Sequence, residues 1–99
     1  MDNLPNSLIH LTFSYSFNKP VDNLPNSITH LTFGVEFNQP VDYLPNGIIE
    51  LKFGYCFNQP LNLLPNSIKK IIFTANSEFK QDLNCLNESV EIIKLTNND

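Results

Sequence analysis

The sequence predicts an all-β solenoid, a coil with one short parallel strand in each repeat. Leu-Pro recurs at residues 4, 24, 44 and 64, at a constant step of 20 residues. Each copy also carries the apolar spacing L-x-x-L-x-F, whose last three positions alternate with the period of two typical of a strand. A unit this short has no room for a strand and a full crossover helix, so we expect helix content near zero.

The repeats begin near residues 4, 24, 44, 64 and 86 and form a single domain over residues 1–99. The last copy is degenerate and resembles a cap. It starts two residues late because Thr74 to Glu78 is two residues longer than the matching segment before it, which predicts an inserted loop. We expect right-handed coiling, with return segments made of turns and of extended or 3-10 backbone.

Three columns of apolar residues are predicted to point into the coil. They are Leu8, Ile28, Ile48, Ile68 and Val90; Leu11, Leu31, Leu51, Ile71 and Ile93; and Phe13, Phe33, Phe53, Phe73 and Leu95. In this alignment Ile71 neighbours Ile93 and Phe73 neighbours Leu95, while Ile92 faces solvent beside Lys70. Ile9, Ile49, Ile72 and Ile92 would form an apolar surface patch unless neighbouring loops cover them.

The return segments carry a second pattern, Phe-Asn-Gln-Pro, at residues 37–40 and 57–60, with Lys19 replacing glutamine in the first copy. The phenylalanine and the Val or Leu after the proline should stack on their equivalents one repeat away. Asn18, Asn38 and Asn58 should pair backbone groups of the turn in a ladder of side-chain amides, since an amide both donates and accepts. Lys80 replaces the next asparagine, so we expect the ladder to end there.

Composition argues against a protein that binds nucleic acid or spans a membrane. The net charge is −4, with only six cationic residues, all lysine, which argues against nucleic acid as a partner. The sequence contains no apolar run long enough to cross a membrane and no recognisable export signal, so we expect a cytoplasmic protein. Cys56 and Cys85 fall at unrelated points of the repeat and should remain unpaired thiols.

Together these motifs resemble the FNIP repeat, a variant related to leucine-rich repeats. The resemblance spans about Leu4 to Leu95, and the copy from Phe79 departs from it by losing both prolines, at Asp82 and Asn87. The resemblance implies an interaction module of the kind found in social amoebae and in giant viruses that infect amoebae, where the host cytoplasm would be its setting. Such repeats often follow an F-box, which implies substrate recognition for a cullin ubiquitin ligase. We expect no F-box before Leu4, so that role needs a longer chain or another subunit.

A fold similar to leucine-rich repeats places its strands on a concave face, where side chains between the apolar columns meet solvent. These side chains differ from copy to copy, as expected for a surface that recognises a protein partner, although drift would produce the same variation. Tyr15 and Tyr55 are the best anchors. The predicted binding residues are His10, Thr12, Tyr15, Thr29, His30, Thr32, Val35, Glu50, Lys52, Tyr55 and Lys70.

A metal site, an enzyme and self-association are three other possibilities for this sequence. His10, His30 and Glu50 share one column and could in principle converge on zinc, but stacked side chains tend to run parallel, and we expect no metal and no cofactor. The sequence lacks phosphate-loop, zinc-protease and serine-elbow motifs, which argues against an enzyme. The first strand has no preceding cap, so the chain is either a monomer or weakly self-associating through that open edge.

Overall fold

The computed structural model describes residues 4–96, and within that range it contains five short strands and no helix. The strands are β1 (His10–Thr12), β2 (His30–Thr32), β3 (Glu50–Phe53), β4 (Lys70–Phe73) and β5 (Glu91–Lys94). They form one parallel sheet in the order β1-β2-β3-β4-β5, so each turn of the chain adds one strand beside its predecessor. The predicted all-β solenoid is confirmed. In the described range, no helix is available to span a membrane.

The L-x-x-L spacing has a backbone explanation. At the start of β2 the amides of Thr29 and His30 both donate to the carbonyl of Ile9, at 2.8 and 3.2 Å. The same doubled donation recurs at the starts of β3 and β4. Two successive amides therefore share one acceptor, which inserts one residue between the first two inward positions and makes their spacing three instead of two.

Parallel pairing places equivalent residues side by side from β1 to β4, for example Leu11, Leu31, Leu51 and Ile71. The last pair differs from the predicted alignment. Ile71 lies beside Ile92, and Phe73 lies beside Lys94. Ile92 packs against the core, so its predicted solvent position was wrong, as were the pairings of Ile93 and Leu95.

The cause of this shift lies at the start of β5. There Glu91 alone donates to the carbonyl of Lys69, at 2.8 Å, and the doubled donation is missing. Without the extra residue, Val90 and Ile92 alternate around Glu91 as in an ordinary strand. Because Ile92 and Ile93 are adjacent and equally apolar, the hydrophobic pattern could not distinguish the two registers.

The core is a double column of aromatic rings that uses all eight phenylalanines. Within a repeat, the ring at the carboxyl end of the strand stacks on the ring of the return segment, at 3.9 Å for Phe33 with Phe37 and 3.8 Å for Phe53 with Phe57. Between repeats, each ring stacks on its equivalent, as Phe37 and Phe57 do at 6.1 Å, and the planes are nearly parallel except for Phe53 with Phe73, at 25°. Val21, Val41 and Leu61 are buried beside these rings, as predicted.

Ring spacing also shows the direction in which the coil bends. Equivalent rings lie 4.4 Å apart on the solvent side of the sheet, where His10 stacks on His30. They lie 5.4 to 5.8 Å apart in the phenylalanine column behind the strands. In the column of the return segments they lie 6.0 to 6.2 Å apart. Repeats are therefore closest at the outer surface of the sheet, which places the sheet on the inner side of the bend.

The asparagine ladder is present. Oδ1 of Asn18 accepts from the backbone amide of Asn38, and Oδ1 of Asn38 accepts from that of Asn58, both at 2.9 Å. The final rung is the amide of Lys80 on Oδ1 of Asn58, also at 2.9 Å. Lysine has no acceptor to offer a further repeat, so the ladder ends where predicted.

Glutamine side chains add a second donor to each rung of the ladder, a contact that the sequence did not predict. Nε2 of Gln39 donates to Asn18 Oδ1 at 3.1 Å, and Gln59 and Gln81 repeat the contact on the next two rungs. Each asparagine oxygen therefore accepts two hydrogen bonds. The rungs are not deeply buried, since Asn18 is exposed and Asn38 and Asn58 are half-buried.

The insertion after β4 is absorbed in a turn. Ser77 donates its amide to the carbonyl of Thr74 at 3.3 Å, and Asn76 adopts a φ of 60°, a left-handed conformation that asparagine tolerates. The repeat contact resumes immediately afterwards, because the amide of Glu78 donates to Tyr55 at 2.9 Å, as that of Cys56 does to Val35 at 3.0 Å. The inserted loop is confirmed, and its extra residues do not disturb the following ring, Phe79.

Replacing Gly54 with alanine should destabilise the chain strongly. A Cβ at this buried position would overlap the carbonyl oxygen of Gly34 and lie 2.6 Å from its carbonyl carbon, so the two repeats would have to separate. We expect a loss of about 2–4 kcal/mol in the free energy of unfolding, the range of severe overpacking. Urea denaturation followed by circular dichroism measures it, and a loss below about 0.5 kcal/mol would contradict the close packing.

Replacing Gly47 with serine is the opposite case. In the equivalent positions, Ser27 and Ser67 donate their hydroxyls to Leu8 and Ile48 of the preceding repeat, both at 2.6 Å. Gly47 lacks this bond, and its Cβ would lie 3.8 Å from the corresponding acceptor, the carbonyl of Ile28. We expect a gain of about 0.5–1.5 kcal/mol in the same denaturation experiment. An unchanged or lower stability would show that the 3.3 Å approach to the carbonyl of Asn26 cannot relax.

Replacing Asn38 with alanine should remove the acceptor for both Asn58 and Gln59. Because these donors are only half-buried, we expect a loss of about 1–2 kcal/mol in the free energy of unfolding. Asn38→Asp is the matched control, since a carboxylate keeps the acceptor, and it should retain most of the stability. Equal losses in the two variants would contradict a role for the acceptor oxygen.

Candidate interaction surface

The candidate site is the solvent side of the sheet, which we call the sheet face. Strand alternation builds it, because the residues between the inward Leu or Ile and Phe positions must point outward. His10 and Thr12 on β1 are exposed, and their equivalents on the inner strands are half-buried by their neighbours. The outward residues of the five strands are His10, Thr12, His30, Thr32, Glu50, Lys52, Lys70, Ile72, Glu91 and Ile93.

A short ridge borders the sheet face at the carboxyl ends of the strands. It consists of Tyr15, Val35, Tyr55 and Ala75, which occupy the same position in successive repeats. The amide of Glu36 donates to Tyr15 at 3.0 Å, and that of Cys56 donates to Val35 at 3.0 Å, so the ridge stacks in register with the strands. Tyr15 is 66% exposed and Tyr55 is 44% exposed. These two rings are therefore available for contact, with Val35 half-buried between them.

The histidines of the sheet face lie parallel. His10 and His30 stack at 4.4 Å with an angle of 4° between their planes, and Nδ1 of His30 contacts the hydroxyl of Thr29 at 2.8 Å. Their ring nitrogens thus do not converge on a shared point with Glu50. Within residues 4–96, no three His, Cys, Asp or Glu side chains are grouped so that they could hold a metal ion.

Charge is unevenly distributed over the sheet face. The outward side chains of β1 and β2 are histidine and threonine, whereas those of β3 to β5 include Glu50, Lys52 and Lys70. Glu50 and Lys70 lie on neighbouring strands, and their charged groups are 3.9 Å apart. Both are substantially exposed, so this pair orients the side chains without stabilising the fold much. The surface has an uncharged first half and a charged second half.

All eleven predicted binding residues lie on the sheet face, on the tyrosine ridge or beside them. Tyr15, His10, Thr12 and Tyr55 are exposed, while Thr29 is half-buried at the start of β2. Of the predicted apolar patch, only Ile9 and Ile49 are exposed, at 47% and 41%, and Ile72 and Ile92 are half-buried. The exposed part of the patch therefore lies beside the amino ends of the strands, where Ile9 precedes β1 and Ile49 precedes β3.

Sequence reasoning missed two exposed apolar residues in the return segments. Tyr43 is 72% exposed and Leu63 is 59% exposed. Each lies three residues after the proline of the return segment. Tyr43 borders a shallow groove with Pro20, Pro40 and Asp42, remote along the coil from the strands. The signal was available, since Asn23, Tyr43 and Leu63 form a column that changes from polar to apolar.

The two thiols are separate. Cys56 is half-buried beside the tyrosine ridge, and Cys85 is exposed in the last return segment. Both are free, as the sequence predicted. Cys85 borders a small cavity with Leu61, Leu64 and Val90 at the junction of the fourth and fifth repeats. The cavity reflects the irregular last repeat, in which the Leu-Pro motif is lost.

Comparison with protein families agrees with these features. The FNIP Repeat model matches the sequence three times in overlapping segments, at residues 1–34, 20–56 and 37–76. The matched segments cover the Phe-Asn-Gln-Pro and Leu-Pro-Asn motifs that build the ladder and the turns. No protein with a curated description matches the sequence. Since the family matches cover residues 1–76, more than half of the chain, the protein belongs to the FNIP repeat family.

Proposed function

We propose that this solenoid binds another protein through the sheet face, with Tyr15 and Tyr55 as the anchors. The observation that carries the proposal is the exposure of these two rings, 66% and 44%, on a repeat frame whose phenylalanines are buried in the core or packed against it. Tyrosine contributes a large contact area and a hydroxyl at low entropic cost, and it is enriched among residues that dominate binding energy.

The backbone around the anchors is held by contacts with the neighbouring repeats, which favours binding. Amides of Glu36 and Cys56 tie the ridge backbone to its neighbours, and Gly34 and Gly54 press the repeats together directly behind it. A preformed surface loses little conformational entropy when a partner binds. Less of the free energy that the anchor contacts supply is then spent on ordering the surface.

The charge pattern suggests how a partner would be oriented. The uncharged half around His10, His30 and Tyr15 suits the desolvated centre of an interface, where charged residues are depleted. The half around Glu50, Lys52 and Lys70 suits its rim, where charges guide encounter and orientation more than affinity. The partner would present an apolar patch that accommodates the two tyrosine rings and is bordered by charges of both signs.

A ubiquitin ligase role is a finer version of the same proposal. If the repeats are joined to an F-box in a longer chain or through another subunit, the sheet face would hold the substrate in the cytoplasm. The support for this version is the family resemblance alone. Co-purification of cullin subunits with the protein from cells would test it, and their absence from every preparation would count against it.

Changing Tyr15, His30 and Tyr55 together to alanine should abolish capture of the partner. We expect a loss of at least about 3 kcal/mol in binding, more than a hundredfold, because tyrosine anchors commonly contribute about 2 kcal/mol or more each. The measurement is affinity capture from amoebal lysate, followed by mass spectrometry and titration of the recovered partner.

Tyr43→Ala is the control, since it removes a tyrosine of the return segment that is at least as exposed as Tyr15 and Tyr55. It should retain the partner at full affinity, and circular dichroism should show both variants folded. Retention of every captured protein by the triple variant would refute the proposed surface. Loss of the partner in Tyr43→Ala alone would move the site to the groove beside Pro40.

A further inference from the structure

The open edge of β1 differs from the rest of the solenoid. In the described residues, β1 pairs with β2 on one side and with no strand on the other. The amide of Phe13 donates to Thr32, and the carbonyl of Ile9 accepts from Thr29 and His30. The backbone groups of successive residues in a strand point alternately to the neighbour on one side and to the neighbour on the other. The amides and carbonyls of His10 and Thr12 therefore point to the open edge. Four backbone hydrogen-bonding groups are thus presented together.

The apolar residues behind this edge are incompletely covered. Leu11, Phe13 and Phe17 are half-buried, whereas their equivalents one repeat later, Leu31, Phe33 and Phe37, are 1%, 3% and 0% exposed. The residue types match at all three positions, so the difference comes only from the missing neighbour on one side. The first repeat therefore presents a sheet edge and an apolar end surface side by side.

The edge also lacks the proline and charged side chains that often prevent strand pairing. β1 contains no proline, lysine or carboxylate, and Lys19 is the one charged residue between residues 4 and 20. The opposite edge of the sheet is protected. On β5 the open positions are Ile92 and Lys94, because Glu91 and Leu95 donate to β4, and Lys94 is exposed. An edge lysine is a common barrier to pairing.

We propose that β1 pairs with β1 of a second copy of this chain, forming an antiparallel dimer about a two-fold axis at Leu11. In that register His10 lies opposite Thr12 of the other copy, and Thr12 lies opposite its His10. Each of these is a hydrogen-bonded pair of an antiparallel ladder, so the four open groups of each copy are satisfied by the same four of its mate. A single strand with open groups at positions i and i+2 is self-complementary in this register.

The two-fold axis runs perpendicular to the sheet, so the apolar sides of both copies lie on the same side of the joined sheet. Leu11 meets Leu11, and Phe13 of each copy approaches Leu8 and Ile9 of the other. The half-buried side chains of the two first repeats then cover each other. Within residues 4–20 only Lys19 is charged, so no other residue of this range brings a like-charged pair to the contact.

The first experiment is sedimentation velocity with light scattering on the 99-residue chain, from 1 to 300 µM. We expect the mass to rise from that of the 11.3 kDa monomer to twice that value across the series. A constant monomer mass would overturn the proposal. Growth beyond the dimer would also overturn it, because pairing about a two-fold axis closes.

A proline at the edge tests the hydrogen bonds. Thr12→Pro removes an amide that points away from β2, so the bonds between β1 and β2 remain. It removes two hydrogen bonds from each dimer, and we expect about a tenfold weaker association. Thr12→Val keeps the amide and should associate as the wild type does. Equal association of the two variants, both folded by circular dichroism, would overturn the proposal.

Cysteine crosslinking tests the register. In a background in which Cys56 and Cys85 are changed to serine, Leu11→Cys places two thiols at a non-hydrogen-bonded pair, where Cα atoms about 4.5 Å apart permit a disulfide. Thr12→Cys is the control, because its two copies lie diagonally, about 7–8 Å apart, and on the other face of the sheet. We expect a disulfide-linked dimer from Leu11→Cys and little from Thr12→Cys. The reverse order, or no linkage in either, would overturn the two-fold at Leu11.

Discussion

Close stacking of successive repeats is the constraint on which the rest of the structure depends. The carbonyl of Gly34 lies where a Cβ of Gly54 would be, and the carbonyl of Ser14 lies where a Cβ of Gly34 would be. This approach sets the repeat spacing behind the carboxyl ends of the strands. Every other contact, from the phenylalanine columns to the asparagine ladder, must accept the spacing that it imposes.

Different interactions hold different sides of the coil. The parallel ladder holds the sheet, the double column of rings fills the interior, and the paired Asn and Gln amides hold the return side. The rings of the return segments are more widely spaced than the histidine rings on the sheet, as expected for a coil that bends toward the sheet. Because the bend brings outward side chains of neighbouring strands together, the sheet face becomes a continuous surface instead of a row of separate side chains.

The two ends of the solenoid are not equivalent. At the first repeat, the motif is intact but half of its packing is missing, which leaves Leu11, Phe13 and Phe17 partly uncovered. At the last repeat, the motif itself decays, and Phe79 tilts by 32° against Phe73 instead of stacking. The first end therefore resembles an interior repeat that lacks a neighbour. The last end, with its lysine in place of asparagine and its charged strand edge, resembles a stop.

The sequence by itself determined the repeat, the strands, the inward columns of the first four copies and the asparagine ladder. A periodic pattern determines these because every copy repeats the same local chemistry, so a single register satisfies four copies at once. It also located Tyr15 and Tyr55 in a column that the core does not use. Only the tertiary structure decided which of Ile92 and Ile93 packs inward, because the two side chains are chemically alike and a lost backbone hydrogen bond makes the choice. The second partner of each ladder oxygen, the exposure of Tyr43 and the direction of the bend likewise depend on distances between repeats, which no single copy encodes.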